Sequence, residues 1–218
     1  MAIEIDLLKN YPKTKRNTSA RSFEKNPEDI KIARRFDKEF FDGDRKTGYG
    51  GYQYNEKYWT TVVKDISKFY NLNSKSKVLD VGCAKGFMVF DMINYLNNEN
   101  IYGIDISEYA IDNGKQEIIE NLYVGQAHDI KFPDNFFDLA ISITTIHNYD
   151  IDGVKSCLKE LNRVSKKSFI TVDAYRNEEE KKQMFEWNLT AKTILHVDEW
   201  ISLFKEVGFN GDYYWFMP

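Results

Sequence analysis

This chain predicts a three-layer α/β sandwich: a mostly parallel sheet of six or seven strands, helices on both faces, and an N-terminal helical cap. Two observations carry that expectation. From Lys77 onward, short apolar runs at 77–82, 101–106, 122–127, 136–143 and 168–173 alternate with helix-like stretches at 87–98, 107–121 and 152–165. Alternation at this spacing needs crossover connections that cover both faces of a parallel sheet. Ahead of Lys77 the pattern is helical and loop-like, which divides the chain into an arm and cap at 1–70 and a sheet domain at 71–218.

The elements follow in order. Residues 9–28 are polar and basic, carry Pro12 and Pro27, and read as a loop or partly ordered arm. Asn26 can cap a helix, Pro27 suits its first position, and Glu28 and Asp29 suit its positive end. That helix is expected to run through Ile30, Ile32, Ala33 and Phe36 to about Phe41, before a turn at Asp42-Gly43-Asp44. Residues 48–54 read GYGGYQY, neither a helix nor a good strand; glycine frees the backbone and tyrosine offers an apolar face with a polar tip. A second helix spans 57–70, with Trp59, Val62, Val63, Ile66 and Phe69 on one face. Beyond the alternating region come a helix at 178–187, a segment at 189–197, and a helix at 198–207 capped by Asp198 and ended by Gly208. The chain closes with a strand near 212–217. Either 189–197 supplies a further strand or the sheet lacks one.

Composition narrows the function. The chain has 218 residues, 42% hydrophobic and 29% charged, enough for one full domain with a sizeable core. No apolar run approaches the roughly 20 residues that cross a bilayer, and the N-terminus has no secretory signal pattern. Two separated cysteines, Cys83 and Cys157, suggest reduced thiols, a cytoplasmic setting and no zinc site. The net charge of −4 disfavours a nucleic-acid partner. Residues 9–46 nevertheless hold twelve Lys and Arg against seven Asp and Glu. This excess reads either as a solvated helix surface or as a basic lip for a phosphorylated or nucleotide-linked small molecule.

The chemistry concentrates where the first strand runs into a glycine turn, VLDVGCAKGF at 78–87. A strand, a glycine turn and a helix N-terminus make a nucleotide site. The dinucleotide spacing would place glycines at 82, 84 and 87; here Gly82, Ala84 and Gly86 are two apart, and position 87 is Phe. Asp80, two residues ahead, would also repel a pyrophosphate. Asp80-Val81-Gly82-Cys83-Ala84-Lys85-Gly86 instead resembles the first motif of class I S-adenosylmethionine-dependent methyltransferases, of the small-molecule (type 11-like) kind. It departs from the family pattern only at Ala84. The resemblance is specific over about residues 75–175 and implies a Rossmann-like sheet ending in an antiparallel hairpin. It also implies S-adenosylmethionine as cofactor, with its cationic end against Asp80.

On the same resemblance the cofactor-binding set is Asp80, Gly82, Cys83, Ala84, Gly86, Asp105, Ile106, Asp129 and Ile130. Asp105, at the end of the second strand, would take the ribose hydroxyls; Asp129, after the third, would hold the adenine amino group. The fourth strand ends in ISITTIHNYD at 141–150, and strand C-termini carry the chemistry of open α/β sheets. His147 is therefore the candidate base, or else it packs or orients substrate. Arg45, Tyr49, Tyr52 and Tyr149 are the candidate acceptor-binding residues. The stretch Asp42-Gly43-Asp44-Arg45 with Gly48-Tyr49-Gly50-Gly51-Tyr52 resembles bacterial methyltransferases of surface-polysaccharide and modified-sugar pathways. Asp150, Asp152 and Asp173 are metal candidates on paper, but the first two suit a helix cap better, and no metal is expected.

The expected activity is methyl transfer to a hydroxyl or amine of a small polar molecule, with a sugar or nucleotide-sugar as one class. The protein is expected to be a monomer or homodimer without membrane or nucleic-acid partners. Methylation of protein or RNA, or a non-catalytic cofactor-binding subunit, are the alternative readings.

Overall fold

The computed structural model describes residues 2–12 and 26–217. Most of the expected arm, at 13–25, lies outside the described residues.

Seven strands form the sheet: β1 (Val78–Val81), β2 (Ile101–Asp105), β3 (Leu122–Val124), β4 (Leu139–Ile143), β5 (Ser168–Tyr175), β6 (Leu195–His196) and β7 (Asp212–Phe216). Their order is β3-β2-β1-β4-β5-β6, with β7 also on β5. All these strand pairs are parallel. The antiparallel hairpin implied by the resemblance is therefore absent among the described residues. Segment 189–197 contributes only two paired residues, Leu195 and His196, against Ala174 and Tyr175. The last strand runs parallel to β5 from Phe169↔Asp212 to Asp173↔Phe216. Among the described residues β7 is the one long strand after β5. The N-terminus instead extends this edge, through Ile5 N–H to the Tyr213 carbonyl and Tyr213 N–H to the Ile3 carbonyl.

Eight α-helices are described: α1 (Pro27–Ala33), α2 (Lys38–Phe41), α3 (Thr60–Tyr70), α4 (Phe87–Leu96), α5 (Glu108–Asp112), α6 (Ile151–Val164), α7 (Glu178–Trp187) and α8 (Val197–Val207). On one face of the sheet, Leu79, Val81, Ala140 and Ile170 pack with Val154, Leu158 and Leu161 of α6 and Trp200 of α8. On the other, Val78, Leu139, Ile141 and Phe169 pack with Val62, Val63 and Ile66 of α3 and Met88 and Met92 of α4. Period-2 alternation along each strand divides these residues between the two layers.

The expected helix through 27–41 is broken in two. Asn26 does cap its start, its side chain accepting from the Glu28 and Asp29 N–H groups at 2.9 Å. Phe36, however, adopts φ 52° and Asp37 caps a new helix. At the far end of the chain, His196 rather than Asp198 caps α8: its Nδ1 accepts from the Asp198 N–H, and Glu199 returns a bond to the His196 N–H. Gly208 ends that helix at φ 68°, as expected. Among the described residues no helix is long and apolar enough to cross a membrane.

Candidate active site

A cavity of about 900 Å³ opens where β1, β2, β4 and β5 end, roofed by α1, α2 and the glycine–tyrosine loop. Strand C-termini in a parallel sheet face one way, so the tips of β1 and β2 come together there.

The glycine loop has its shape for steric reasons. Gly82 sits at φ 86°, and a Cβ on it would stand 2.1 Å from Thr145 Oγ1. Gly86 sits at φ 74° at the start of α4, where a Cβ would meet Leu122 at 2.7 Å. Gly86 therefore shapes the turn from behind and does not line the cavity. Ala84 takes φ 52°, the left-handed region, with a Cβ that packs in the cluster of Phe41 and Ala110. Cys83 fills the space beside Gly103, and burial pushes its thiol well above the ordinary range. It is a packing residue at the cavity wall, not a thiolate nucleophile.

Asp80 lines the cavity and is only 6% exposed. Burial, with the nearby Asp105 charge, pushes its carboxyl up to about 8. Asp105 ends β2; its Oδ2 accepts from the Ala84 N–H at 2.8 Å and its Oδ1 from the Ser107 N–H at 2.9 Å. Burial raises this carboxyl too, while those N–H groups pull the other way. With the Ile106 N–H as a third backbone donor, the carboxylate keeps acceptor capacity for a further hydroxyl.

Ile106 follows on the cavity wall, 47% exposed for so large an apolar side chain. The next wall residues are Gly125 and Ala127. Asp129 and Ile130 lie off the cavity wall. A backbone bridge pairs Asp129 with Gln126 across a turn, and the Asp129 carboxylate meets Lys131 at the surface. Ile130 is buried in the core beneath.

The roof is aromatic. Tyr49 and Tyr52 lie 4.5 Å apart, and Tyr52 stacks on Phe87 at 4.9 Å. Burial, then Tyr49, Tyr11, Asp80 and Asp105, drives the Tyr52 phenol well above its ordinary value. The roof is tied to the glycine loop by Lys85, which is 5% exposed. Its Nζ reaches Asp42 Oδ2 at 2.6 Å and the Tyr52 carbonyl at 3.1 Å. Tyr109 and the Tyr52 N–H also donate to the Asp42 carboxylate. Burial opposes its ionisation, but these bonds hold the carboxyl below the usual range. Sequence reasoning passed over Lys85, because nothing local signals a partner 43 positions away.

On the β4 side, His147 lines the cavity at 2% exposure. Its Nδ1 accepts from the Asp173 N–H at 3.0 Å, which leaves the ring proton on Nε2. Burial lowers its pKa, although Asp173 opposes this. Of the two readings of His147, packing or orienting fits this bond better than a base: the Nδ1 lone pair is taken and Nε2 carries the proton. Asp150 caps α6, accepting from the Gly153 N–H. Asp173 is held by the Asn188 amide. No group of residues able to hold a metal occurs among the described residues. Arg45, Tyr49, Tyr52 and Tyr149 all line the cavity, joined by Asn148 and by Asn188, Leu189 and Thr190.

Comparison with known proteins agrees with this architecture. A methyltransferase-domain family model matches residues 72–208. A 2-methyl-6-phytyl-1,4-hydroquinone methyltransferase of Oryza sativa subsp. japonica is 27% identical over 97 residues, covering 42% of this chain and 29% of the relative. A demethylmenaquinone methyltransferase of Symbiobacterium thermophilum is 29% identical over 107 residues, 44% of this chain and 42% of the relative. The chain thus spans less than half the length of these relatives. Among solved structures, a phosphoethanolamine N-methyltransferase of Haemonchus contortus is similar with a TM-score of 0.59 at 14% identity, over 81% of this chain and 44% of that one. A methyltransferase from an antibiotic biosynthesis pathway of Anabaena variabilis gives 0.53 at 22%, over 67% and 60%. These structural likenesses establish the fold. The family match spans well over half of the chain, and with it the chain belongs to the methyltransferase-domain family.

Proposed function

We propose that the chain transfers a methyl group from S-adenosylmethionine to a hydroxyl or amine of a small polar acceptor, with sugars and nucleotide-sugars as the leading class. The observation that carries this is the pair Asp80 and Asp105 at adjacent strand tips in one cavity. A buried carboxyl with no cation beside it among the described residues suits a cationic ligand and opposes a pyrophosphate. The turn agrees in shape: Gly82, at φ 86°, lets the chain leave β1 with Thr145 packed where a Cβ would stand.

When bound, S-adenosylmethionine supplies a methyl group already activated by its sulfonium. The residues of the chain bind and align. Asp80 faces the cationic end, Asp105 offers its remaining acceptor capacity to the ribose, and Ile106, Gly125 and Ala127 remain for the adenine. Tyr49 and Tyr52 close the roof and exclude water. His147 and Asn148 orient the acceptor, and in-line alignment contributes most of what such a displacement needs. The cap at 1–70 and the cofactor domain at 71–218 are the proposed division of labour.

Calorimetric titration with S-adenosylmethionine and S-adenosylhomocysteine, beside NAD, tests the reading. Saturable binding of the first two and not NAD is expected, weakened by Asp105→Ala. Binding of NAD alone, or of none of the three by protein shown to be cofactor-free, would overturn it.

A further inference from the structure

The cavity is polarised. Its acids, Asp80 and Asp105, stand at the tips of β1 and β2, whereas a group of cations stands where α1 meets the segment after α7. Arg34 donates from Nε to the Thr190 carbonyl at 3.2 Å and from Nη2 to the Ala191 carbonyl at 3.0 Å. These bonds bring the end of α1 against the residues leading to Lys192. Lys192 is tied in turn to the chemistry: its N–H donates to the His147 carbonyl at 3.0 Å, and the Thr193 hydroxyl donates to the Tyr149 carbonyl at 2.8 Å. Arg34, Arg35 and Lys192 all line the cavity. Among the described residues none of the three pairs with a carboxylate, whereas Arg176 on the same wall is paired with Glu4. Asp173, an acid that also lines the cavity, accepts from the Asn188 amide.

A second observation points to a polar ligand at the same place. Asn148 lines the cavity one residue from His147, and its Oδ1 is buried with no hydrogen-bond partner. A buried amide oxygen is rarely left unmade unless something else donates to it. Among the described residues, neither the cofactor end nor the core accounts for three cations without a carboxylate partner and an acceptor without a donor on one cavity wall.

We infer that this corner is an anion subsite and that the methyl acceptor carries a phosphate. Arg35 and Lys192 hold the anion, Arg34 completes its surround, and Asn148 Oδ1 receives a hydroxyl or amine proton of the same molecule. A dianion matches two free cations better than a single carboxylate does, and Arg favours phosphate geometry. The arrangement also separates the two substrates by charge: the cationic donor belongs at the acidic tips and the anionic acceptor at the basic corner. Of the described residues in the basic stretch, Arg34, Arg35 and Arg45 line the cavity, while Lys31, Lys38 and Lys46 do not.

The inference rests on the methyltransferase reading, and the experiment separates the two. Protein saturated with S-adenosylhomocysteine is titrated calorimetrically with pyrophosphate, with uridine diphosphate and with malonate at constant ionic strength. Saturable binding of the two phosphate compounds, at least tenfold tighter than malonate, is expected. Arg35→Glu and Lys192→Glu should each weaken it about tenfold while leaving S-adenosylhomocysteine affinity within about twofold. Both side chains are exposed and hold no hydrogen bond to lose, so the variants should melt with the wild type. No binding of either phosphate compound, binding unaffected by both reversals, or equal binding of malonate overturns the phosphate subsite and leaves the methyltransferase reading standing. Should S-adenosylhomocysteine fail to bind, that reading falls, and the same titrations on unloaded protein still decide the subsite.

Discussion

Asp80 makes cofactor binding depend on pH in a direction that can be worked out. Its carboxyl lies at about 8 in the free protein, raised by burial and by Asp105, so near neutral pH it is mostly protonated. A cation seated about 4 Å away at an effective dielectric near 20 favours the ionised form by ~4 kcal/mol, or ~1000-fold. Binding the cationic donor therefore expels close to one proton, and affinity rises with pH until about 8. Linkage between about pH 5.5 and about pH 7 gives a Kd ~20-fold weaker at the lower value. Titration with S-adenosylmethionine in two buffers of different ionisation enthalpy reads both the Kd and the proton count. Asp80→Asn should flatten the dependence and abolish the release. A pH-independent Kd in the wild type, or no proton expelled, would refute the reasoning. The same carboxyl acts on stability with a fixed sign. Its folded value lies above the unfolded value of 3.8, so its contribution is complete below about pH 4 and is lost as pH rises through about 8. Free Asp80→Asn should accordingly outlast the wild type in thermal melts at about pH 8.5, with the gap closing toward pH 4.

Other perturbations test other joints of the site. Gly82→Ala drives a Cβ to 2.1 Å from Thr145 Oγ1 at positive φ, and should lower Tm and abolish S-adenosylhomocysteine binding; Gly82→Ala with Thr145→Ala should recover part of both, and no recovery would mean the clash is not the cause. Lys85→Met leaves Asp42 with only the Tyr109 hydroxyl and the Tyr52 N–H, and losing the ammonium should cost about 2 kcal/mol, read by urea denaturation. The double variant with Asp42→Asn should cost less than the sum of the singles, and strict additivity would show that the pair does not couple. Nitrogen-15 NMR of the His147 ring should show a neutral imidazole with its proton on Nε2 across about pH 6–8; a proton on Nδ1 would restore it as a base.

The cofactor end was the most legible part of the sequence, because its requirements are local. A turn that must admit backbone but no Cβ demands glycine at 82 and 86, and a strand of four buried residues with an acid inside it is conspicuous. The position of Asp129 off the cavity wall was illegible for the opposite reason. It sits three residues beyond Gln126 in a turn whose direction no periodicity fixes, and the turn sends it out to Lys131 while Gly125 and Ala127 face the cavity. The break at Phe36 was hidden because the apolar spacing continues across it, and an aromatic residue gives no warning of left-handed backbone. His147 was placed correctly at the cavity wall, but its tautomer depends on the Asp173 N–H, 26 positions away.

The Lys85 contact changes how the cap is to be understood. The residue lies inside the glycine loop, yet its ammonium is spent on Asp42 and the Tyr52 carbonyl, not on a ligand. The loop that fixes Asp80 and Gly82 therefore also fixes where Tyr52 stands above them. Arg34 does the same at the other end, fastening α1 to the 190–191 carbonyls beside the basic corner. The roof is thus held at both substrate ends by side chains whose hydrogen bonds are already committed, and Arg35, Lys192 and Asn148 are left to meet the acceptor. A change at Lys85 should then weaken cofactor binding through Tyr52, whereas a change at Lys192 should spare the cofactor and strike the acceptor alone. That division follows from which side chains are spent on the fold and which are not.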